Sequence, residues 1–118
     1  MQHSLVTPAA KRARKTWGIT KRAEFGDCSA VCRLLVEILQ ELGIQCRLQF
    51  GKFHTAEDEE WDHTWVETFE KDDIWILDPT VDQFYSSLDI DLETKTDGIY
   101  YSKVDGDELA SRYEWKNK

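Results

Sequence analysis

The sequence lacks several features that mark large classes of protein. No apolar run approaches the ~20 residues that a membrane-spanning helix needs, and no continuous apolar stretch opens the chain, so we expect neither a membrane span nor a secretory signal. No internal repeat or low-complexity tract is present. The three cysteines form no Cys-x-x-Cys pair, which argues against a disulfide framework and favours a reducing, cytoplasmic compartment.

The 118 residues, 41% of them hydrophobic, are enough for one globular domain with its own core. Residues 1–22 hold six basic residues and no acid, while the remainder holds nine basic and 23 acidic ones. We therefore predict a basic N-terminal arm over 1–22 and a single domain over 23–118. The acidic body argues against a nucleic-acid partner. It would suit a basic protein or peptide substrate, although a solubilising surface is the simpler interpretation, and no feature indicates an oligomeric state.

Two stretches have helical patterns. Residues 1–8 look loose, and a short helix is predicted from Pro8 to Trp17. A longer helix is predicted from Cys28 to Leu42, with Asp27 as its N-cap and a glycine after its end. Its apolar residues recur at helical spacing and form a wide stripe: Val31, Leu34, Leu35, Ile38, Leu39 and Leu42. Such a stripe predicts a central helix packed against a sheet.

Alternating patterns predict strands after the helix. The first runs over 44–50, and a polar acidic loop over 54–60 follows it. Residues 63–69 and 74–78 then form a hairpin, and another strand is predicted over 98–104. The last dozen residues give no clear pattern. We therefore predict an α+β fold in which the central helix packs on an antiparallel sheet of three or more strands.

The hairpin pattern brings a histidine and an acid together. With the turn at Glu70 and Lys71, His63 is predicted to lie opposite Asp78 on the same face of the sheet. A slip of two residues would preserve that shared face, whereas a slip of one would separate the two side chains. Pro79 cannot donate to a ladder, so Asp78 should end its strand.

A cysteine, a histidine and an acid in this arrangement suggest nucleophilic catalysis. Cys28 lies at a helix N-terminus, where the helix dipole favours the thiolate. His63 could accept the thiol proton, and Asp78 could orient the imidazole. The thiolate would then attack an amide or ester carbonyl and form an acyl-enzyme. The backbone N–H of Cys28 is a candidate oxyanion donor, and the sequence identifies no second donor.

Each of these residues also has a structural interpretation. An isolated cysteine is usually an inert core thiol, and Cys32 and Cys46 are interpreted in that way, although Cys28 and Cys32 could also form a redox pair. Zinc is a rival chemistry, but the cysteines and histidines lack zinc-ligand spacing, so no metal or cofactor is predicted. The remaining residues are interpreted as loop or packing residues: His3, His54, Trp61, Trp75, Gln83 and Phe84.

The motifs around these three residues resemble the core of the transglutaminase-like superfamily, within the wider papain-like fold of cysteine enzymes. The resemblance covers about residues 25–84 and rests on these segments: Gly26-Asp27-Cys28-Ser29-Ala30, Leu42-Gly43-Ile44, His63-Thr64-Trp65-Val66-Glu67 and Trp75-Ile76-Leu77-Asp78-Pro79-Thr80. It implies nucleophile, base and orienter roles for Cys28, His63 and Asp78.

The family resemblance implies a cysteine enzyme that acts on amide bonds as a peptidase or deamidase, or by acyl transfer to an amine. Trp17 and Trp65 are the candidate substrate-binding aromatic residues, with core packing as the alternative. Two departures are visible: no calcium-loop pattern occurs, and Arg22 stands where papain-type enzymes carry an oxyanion glutamine. The alternative function is a catalytically inactive protein-binding module on the same scaffold.

Overall fold

The computed structural model describes residues 2–20, 23–24, 26–55, 57–87 and 98–116. The elements in chain order are α1 (Gln2–Trp17), α2 (Asp27–Glu41), β1 (Cys46–His54), β2 (Glu60–Glu70), β3 (Asp73–Asp78), β4 (Tyr100–Lys103) and β5 (Tyr113–Trp115). Short 3-10 segments occupy Val81–Ser87 and Ala110–Arg112. The strands form one antiparallel sheet in the order β4-β3-β2-β1-β5. The α+β class predicted from the sequence is confirmed.

Helix α1 is longer than the sequence pattern predicted. It begins at Gln2, includes Pro8 in its interior and so covers residues that were expected to be loose. An interior proline removes a backbone hydrogen bond and costs about 3 kcal/mol. Burial against α2 offsets this cost, because Val6, Ala9 and Ala13 are almost completely buried in a shared cluster. The boundary predicted between an arm at 1–22 and a domain at 23–118 stays a prediction.

Helix α2 runs from Asp27 to Glu41, and its start differs from the prediction in one detail. The N-cap is Gly26, which takes a left-handed backbone with φ of 100°, and no side chain caps the helix. The Asp27 carboxylate instead accepts hydrogen bonds from the backbone N–H of Glu24 and from Nε1 of Trp17. A glycine is suited to this turn because it carries no Cβ.

The sheet is covered on both faces. On one face, α1 and α2 pack against Val66 and Leu77; on the other, Phe53, Trp65 and Ile76 pack with the 3-10 segments. Every residue of β2 from 63 to 68 is buried. In the part of the chain that the structure describes, no helix is long and apolar enough to cross a bilayer.

The β2–β3 register is shifted by two residues from the prediction. Val66 pairs with Leu77, and Glu70 pairs with Asp73, so the two-residue turn lies at Lys71 and Asp72 rather than one residue earlier. Lys71 takes a left-handed backbone with φ of 57°. Continued along the ladder, this register places Asp78 beyond the last pair, diagonal to His63 on the same face.

Strand β5 forms in a segment that has no clear sequence pattern. It pairs with β1 at Gly51, Lys52 and Phe53. The approach at Gly51 is so close that an added Cβ would lie 1.9 Å from the backbone oxygen of Glu114. A glycine is therefore required there for β5 to join the sheet.

Candidate functional site

The site begins at the first turn of α2, where Cys28 is half-buried. The backbone of Thr64 on β2 hydrogen-bonds the Cys28 side chain. One turn later, the Cys32 thiol donates to the backbone oxygen of the same residue at 3.4 Å. The two cysteines lie four residues apart on one face of the helix. This docking holds the N-terminus of α2 beside the residue that precedes Thr64, which is His63.

His63 is buried between the sheet and the 3-10 segment, and its side chain has no exposed surface. Its Nε2 atom lies 2.6 Å from Oδ2 of Asp78, and its ring also interacts with the Cys28 thiol. Because Nε2 is engaged by the carboxylate, the thiol shares the Nδ1 side of the ring with the side-chain amide of Gln83, whose Nε2 lies 3.0 Å from Nδ1. Phe84 packs edge-on against the imidazole with ring centroids 4.9 Å apart. The ring is thereby held in one plane between a thiol and a carboxylate.

Asp78 ends β3 and is completely buried. Its Oδ2 atom accepts hydrogen bonds from His63 and from the hydroxyl of Tyr113, each at 2.6 Å. Its Oδ1 atom accepts the backbone N–H of Thr80 at 3.0 Å. A buried carboxylate needs such partners to remain ionised. The Asp78 carboxylate is therefore fixed in position and in charge.

The electrostatics of the three side chains favour an ion pair. Burial alone raises the pKa of Cys28, but the hydrogen bond and charge of His63 outweigh it, and the pKa lies below its ordinary value. Burial lowers the pKa of His63, whereas Asp78 and then Cys28 raise it, to about 9 overall. Burial raises the pKa of Asp78, and His63, Tyr113 and Thr80 lower it more. These pKa shifts favour the thiolate form of Cys28 and the imidazolium form of His63 near neutral pH.

A cavity of about 480 Å³ reaches His63 from the side of β5. Its lining combines aromatic residues with both signs of charge: Phe50, Gly51, Lys52, Asp62, His63, Glu114, Trp115 and Lys116. The Lys52 ammonium and the Asp62 carboxylate in this lining are 2.7 Å apart. Neither Cys28 nor Asp78 is among these lining residues.

The two aromatic residues predicted to bind substrate occupy different environments. Trp17, at the end of α1, is 50% exposed, and its indole N–H donates to Asp27 at the start of α2. Trp65 has no exposed surface, and its ring packs against Tyr113 and Trp115. Their part in substrate binding stays a prediction, for which the exposed Trp17 is the better placed.

The described residues contain one group with closely spaced metal-ligating atoms: His54, Glu60 and Glu114, whose ligand atoms lie within 4.8 Å of one another. All three are at least partly exposed, and Nε2 of His54 is 2.6 Å from a Glu114 oxygen. A histidine nitrogen that pairs with a carboxylate satisfies both groups without an ion. One of the three residues, Glu114, also lines the cavity that reaches His63.

Two residues in contact with the site were missed by the sequence analysis. Tyr113 reaches Asp78 from β5, and Gln83 places Nε2 3.0 Å from Nδ1 of His63. Gln83 was interpreted as an anchor for the chain, and Tyr113 lay in the segment without a clear pattern. One feature of the sequence could have indicated that Gln83 lies near the site: it follows Asp78 by five residues, in the short segment after the strand.

The fold and the site together define a class: an α+β protein in which a helix N-terminal cysteine contacts a buried histidine–carboxylate pair. A family model described as the transglutaminase-like superfamily matches residues 3–79, more than half of the chain. The chain therefore belongs to the transglutaminase-like superfamily. A search of the curated proteins found no match, and a search of solved structures also found none.

Proposed function

We propose that this protein is a small cysteine-dependent enzyme that acts on amide bonds of protein or peptide substrates. The observation that supports the proposal is the interaction of His63 with the Cys28 thiol and its hydrogen bond to Asp78, with a lowered pKa at the thiol and a raised pKa at the imidazole. Such an ion pair supplies a nucleophile and a proton donor at the same pH.

In the first half-reaction, the Cys28 sulfur attacks the amide carbonyl carbon, and a carbon–sulfur bond forms. The carbonyl oxygen becomes an oxyanion, for which the backbone N–H of Cys28 is a donor at the start of α2. The carbon–nitrogen bond then breaks, and Nδ1 of His63 gives its proton to the departing nitrogen, which leaves as an amine or as ammonia. Asp78 keeps the ring oriented throughout this proton transfer.

In the second half-reaction, water attacks the thioester while His63 accepts one of its protons. The carbon–sulfur bond breaks, a carboxylic acid leaves, and the thiolate and imidazolium are restored. An amine in place of water would give a new amide, which is the transglutaminase-type outcome. We place hydrolysis first, because water needs no second binding site.

We also propose a cytoplasmic location, which the three free thiols support. A basic substrate would suit the net charge of −8, which attracts such a molecule over a distance, while a solubilising surface is the simpler interpretation of that charge.

The proposal is tested in two steps. Alkylation by iodoacetamide near pH 6, followed by mass spectrometry of all three cysteines, should modify Cys28 selectively, and His63→Ala should abolish that selectivity. Equal and slow labelling of all cysteines would instead support a catalytically inactive binding module. Peptide mixtures treated with the wild-type protein or with Cys28→Ala should then differ by cleavage, by a mass increase of ~1 Da for deamidation, or by crosslinks.

A further inference from the structure

Gln83 is in contact with the candidate site, and only one end of its side-chain amide has a hydrogen-bond partner. The residue is 5% exposed. Its Nε2 atom lies 3.0 Å from Nδ1 of His63, whereas its Oε1 atom is buried without a hydrogen-bond partner among the described residues. A buried polar atom without a partner is costly. An unpartnered Oε1 beside the imidazole therefore points to a hydrogen bond that Gln83 makes in only one protonation state of His63.

The two ends of the amide suit the two protonation states of the ring. When His63 is neutral, its Nε2–H donates to Asp78, and the lone pair of Nδ1 can accept the N–H of Gln83. When His63 is an imidazolium, Nδ1 carries a proton and can only donate. Rotation of the amide by half a turn would then present Oε1 to that proton.

We propose that Gln83 is a positioning residue for His63 that holds Nδ1 in both protonation states and favours the imidazolium. The proposal rests on the proposed function, because it gives a role to the same thiolate–imidazolium pair. A hydrogen bond from a charged donor is stronger than one between neutral groups, so the acceptor orientation, in which Oε1 shares the Nδ1 proton with the thiolate, is favoured once His63 is an imidazolium. The interaction with Gln83 persists when acylation of Cys28 removes the thiolate as a partner for Nδ1.

The position of Gln83 is itself fixed by a buried ion pair. Its neighbour Asp82 accepts two hydrogen bonds from the Arg14 guanidinium of α1, each at 2.9 Å. Arg14 also donates to the backbone oxygen of Pro79 at 2.7 Å. The segment between Asp78 and Gln83 is thus anchored to α1, so the amide can rotate while the backbone beneath it stays in place.

The groups that can influence the charge of His63 come from three elements. Cys28 faces it from α2, Asp78 from β3 and Tyr113 from β5. The neighbours from β1 and the 3-10 segment, Phe53 and Phe84, are apolar. Burial and Asp78 hold the pKa of Tyr113 well above its ordinary value, so this hydroxyl stays neutral. Gln83 is thus the neutral polar group in contact with Nδ1. The effect of replacing it can be measured directly as a change in the proton affinity of His63.

The test measures the titration of His63 by ¹⁵N NMR in the wild-type protein and in three variants. Gln83→Met removes both hydrogen-bonding ends at similar volume and should lower the proton affinity of His63 about threefold to tenfold, the size of one hydrogen bond. Gln83→Glu keeps an acceptor and adds charge, so it should raise that affinity by at least as much. Thr68→Val, which removes another buried oxygen without a partner, is the matched control and should leave the titration unchanged.

Opposite shifts in the two Gln83 variants support the proposal, because a purely structural role would not depend on the sign of the substitution. Shifts in the same direction, or none in either variant, overturn it. If Gln83→Met does not fold, Gln83→Leu takes its place: a lowered affinity supports the proposal and an unchanged or raised one overturns it, because the rise in Gln83→Glu would also follow from its added charge alone. Failure of the proposed function would look different, because the wild-type His63 would then titrate near its ordinary pKa and Cys28 would label no faster than Cys46.

Discussion

One oxygen atom of Asp78 connects His63 on β2 to Tyr113 on β5. Oδ2 accepts hydrogen bonds from both His63 and Tyr113. The contact with His63 was predictable, because a hairpin places two nearby segments on one face. The contact with Tyr113 was not, because 35 residues separate it from Asp78 and no local pattern relates them. The pairing of distant strands in the sheet determines which residue supplies such a donor.

Tyr113→Phe tests how far that hydroxyl stabilises the buried charge. Loss of the bond should lower the free energy of unfolding by about 1–3 kcal/mol at neutral pH. Asp78 has a lowered pKa in the folded protein, so its contribution to stability is present above its unfolded pKa and is lost as the pH falls. The effect of the substitution should therefore shrink towards pH 3. Denaturant titrations at both pH values provide the measurement.

Thr68→Val is the matched control for this experiment. The Thr68 hydroxyl is buried and has no hydrogen-bond partner among the described residues. This variant should show little difference between the two pH values. If Tyr113→Phe were equally destabilising at pH 3 and pH 7, the tyrosine would act through packing rather than through the carboxylate.

The pH dependence of turnover follows from the two shifted groups. Activity should rise as the pH passes upward through the lowered pKa of Cys28, and it should fall above about 9, where His63 loses its proton. Alkylation of Cys28 needs no proton donor, so its rate should stay high above pH 9. The two profiles, measured on one preparation, should separate on the alkaline side. Turnover that continued to rise beyond pH 9 would contradict the assignment of His63 as the proton donor.

At the scale of the elements, the sequence pattern located strands more reliably than it located their ends or register. The hairpin was predicted on the correct face, but its register was off by two residues, because the turn uses Lys71 and Asp72 instead of Glu70 and Lys71. The site tolerates this difference. A shift of two residues keeps the side chains on one face, and a diagonal pair still lies within reach.

Gly51→Ala tests the close approach of β5 to β1. The new Cβ would meet the backbone of Glu114, which cannot move without displacing β5. We expect a loss of about 1–3 kcal/mol in the free energy of unfolding, as for overpacked sites. Faster hydrogen exchange is expected at the amide of Lys116, which donates to Phe50. Circular dichroism and exchange measurements check the two effects.

Gly106→Ala provides the control for Gly51→Ala. Its added Cβ would meet the Ser102 hydroxyl, which is the end of a side chain that can rotate away. The variant should be close to the wild type in stability. An equal loss in both variants would show that β5 does not constrain position 51.

At the scale of the whole molecule, α1 is connected to the segment that follows Asp78. Arg14 and Asp82 form a bidentate ion pair with side chains 9% and 2% exposed. The same aspartate also accepts the backbone N–H of Ala23 at 3.2 Å. The basic residues of 1–22, which the composition suggested were a separate arm, thus include the Arg14 guanidinium, which is bound in the protein interior.

Arg14→Met should be strongly destabilising, because it leaves the Asp82 carboxylate buried without its cation. Loss of one partner of a buried ion pair costs about 3–5 kcal/mol. The double variant Arg14→Met with Asp82→Leu should recover much of this loss, since apolar replacement of both partners is often tolerated. Arg12→Met, at an exposed position of the same helix, should change stability little. Urea titration measures all three, and a double variant no more stable than Arg14→Met would contradict the explanation.

The sequence by itself determined the central helix, the hairpin and the three residues whose chemistry suggests a cysteine enzyme. These depend on local periodicity and on short motifs, which a linear chain displays directly. Only the tertiary structure decided the full length of α1, the closure of the sheet by β5 and the partners Tyr113 and Gln83. Their contacts join segments far apart in the chain, and they form because buried polar groups must be satisfied by whatever donors and acceptors the fold brings near.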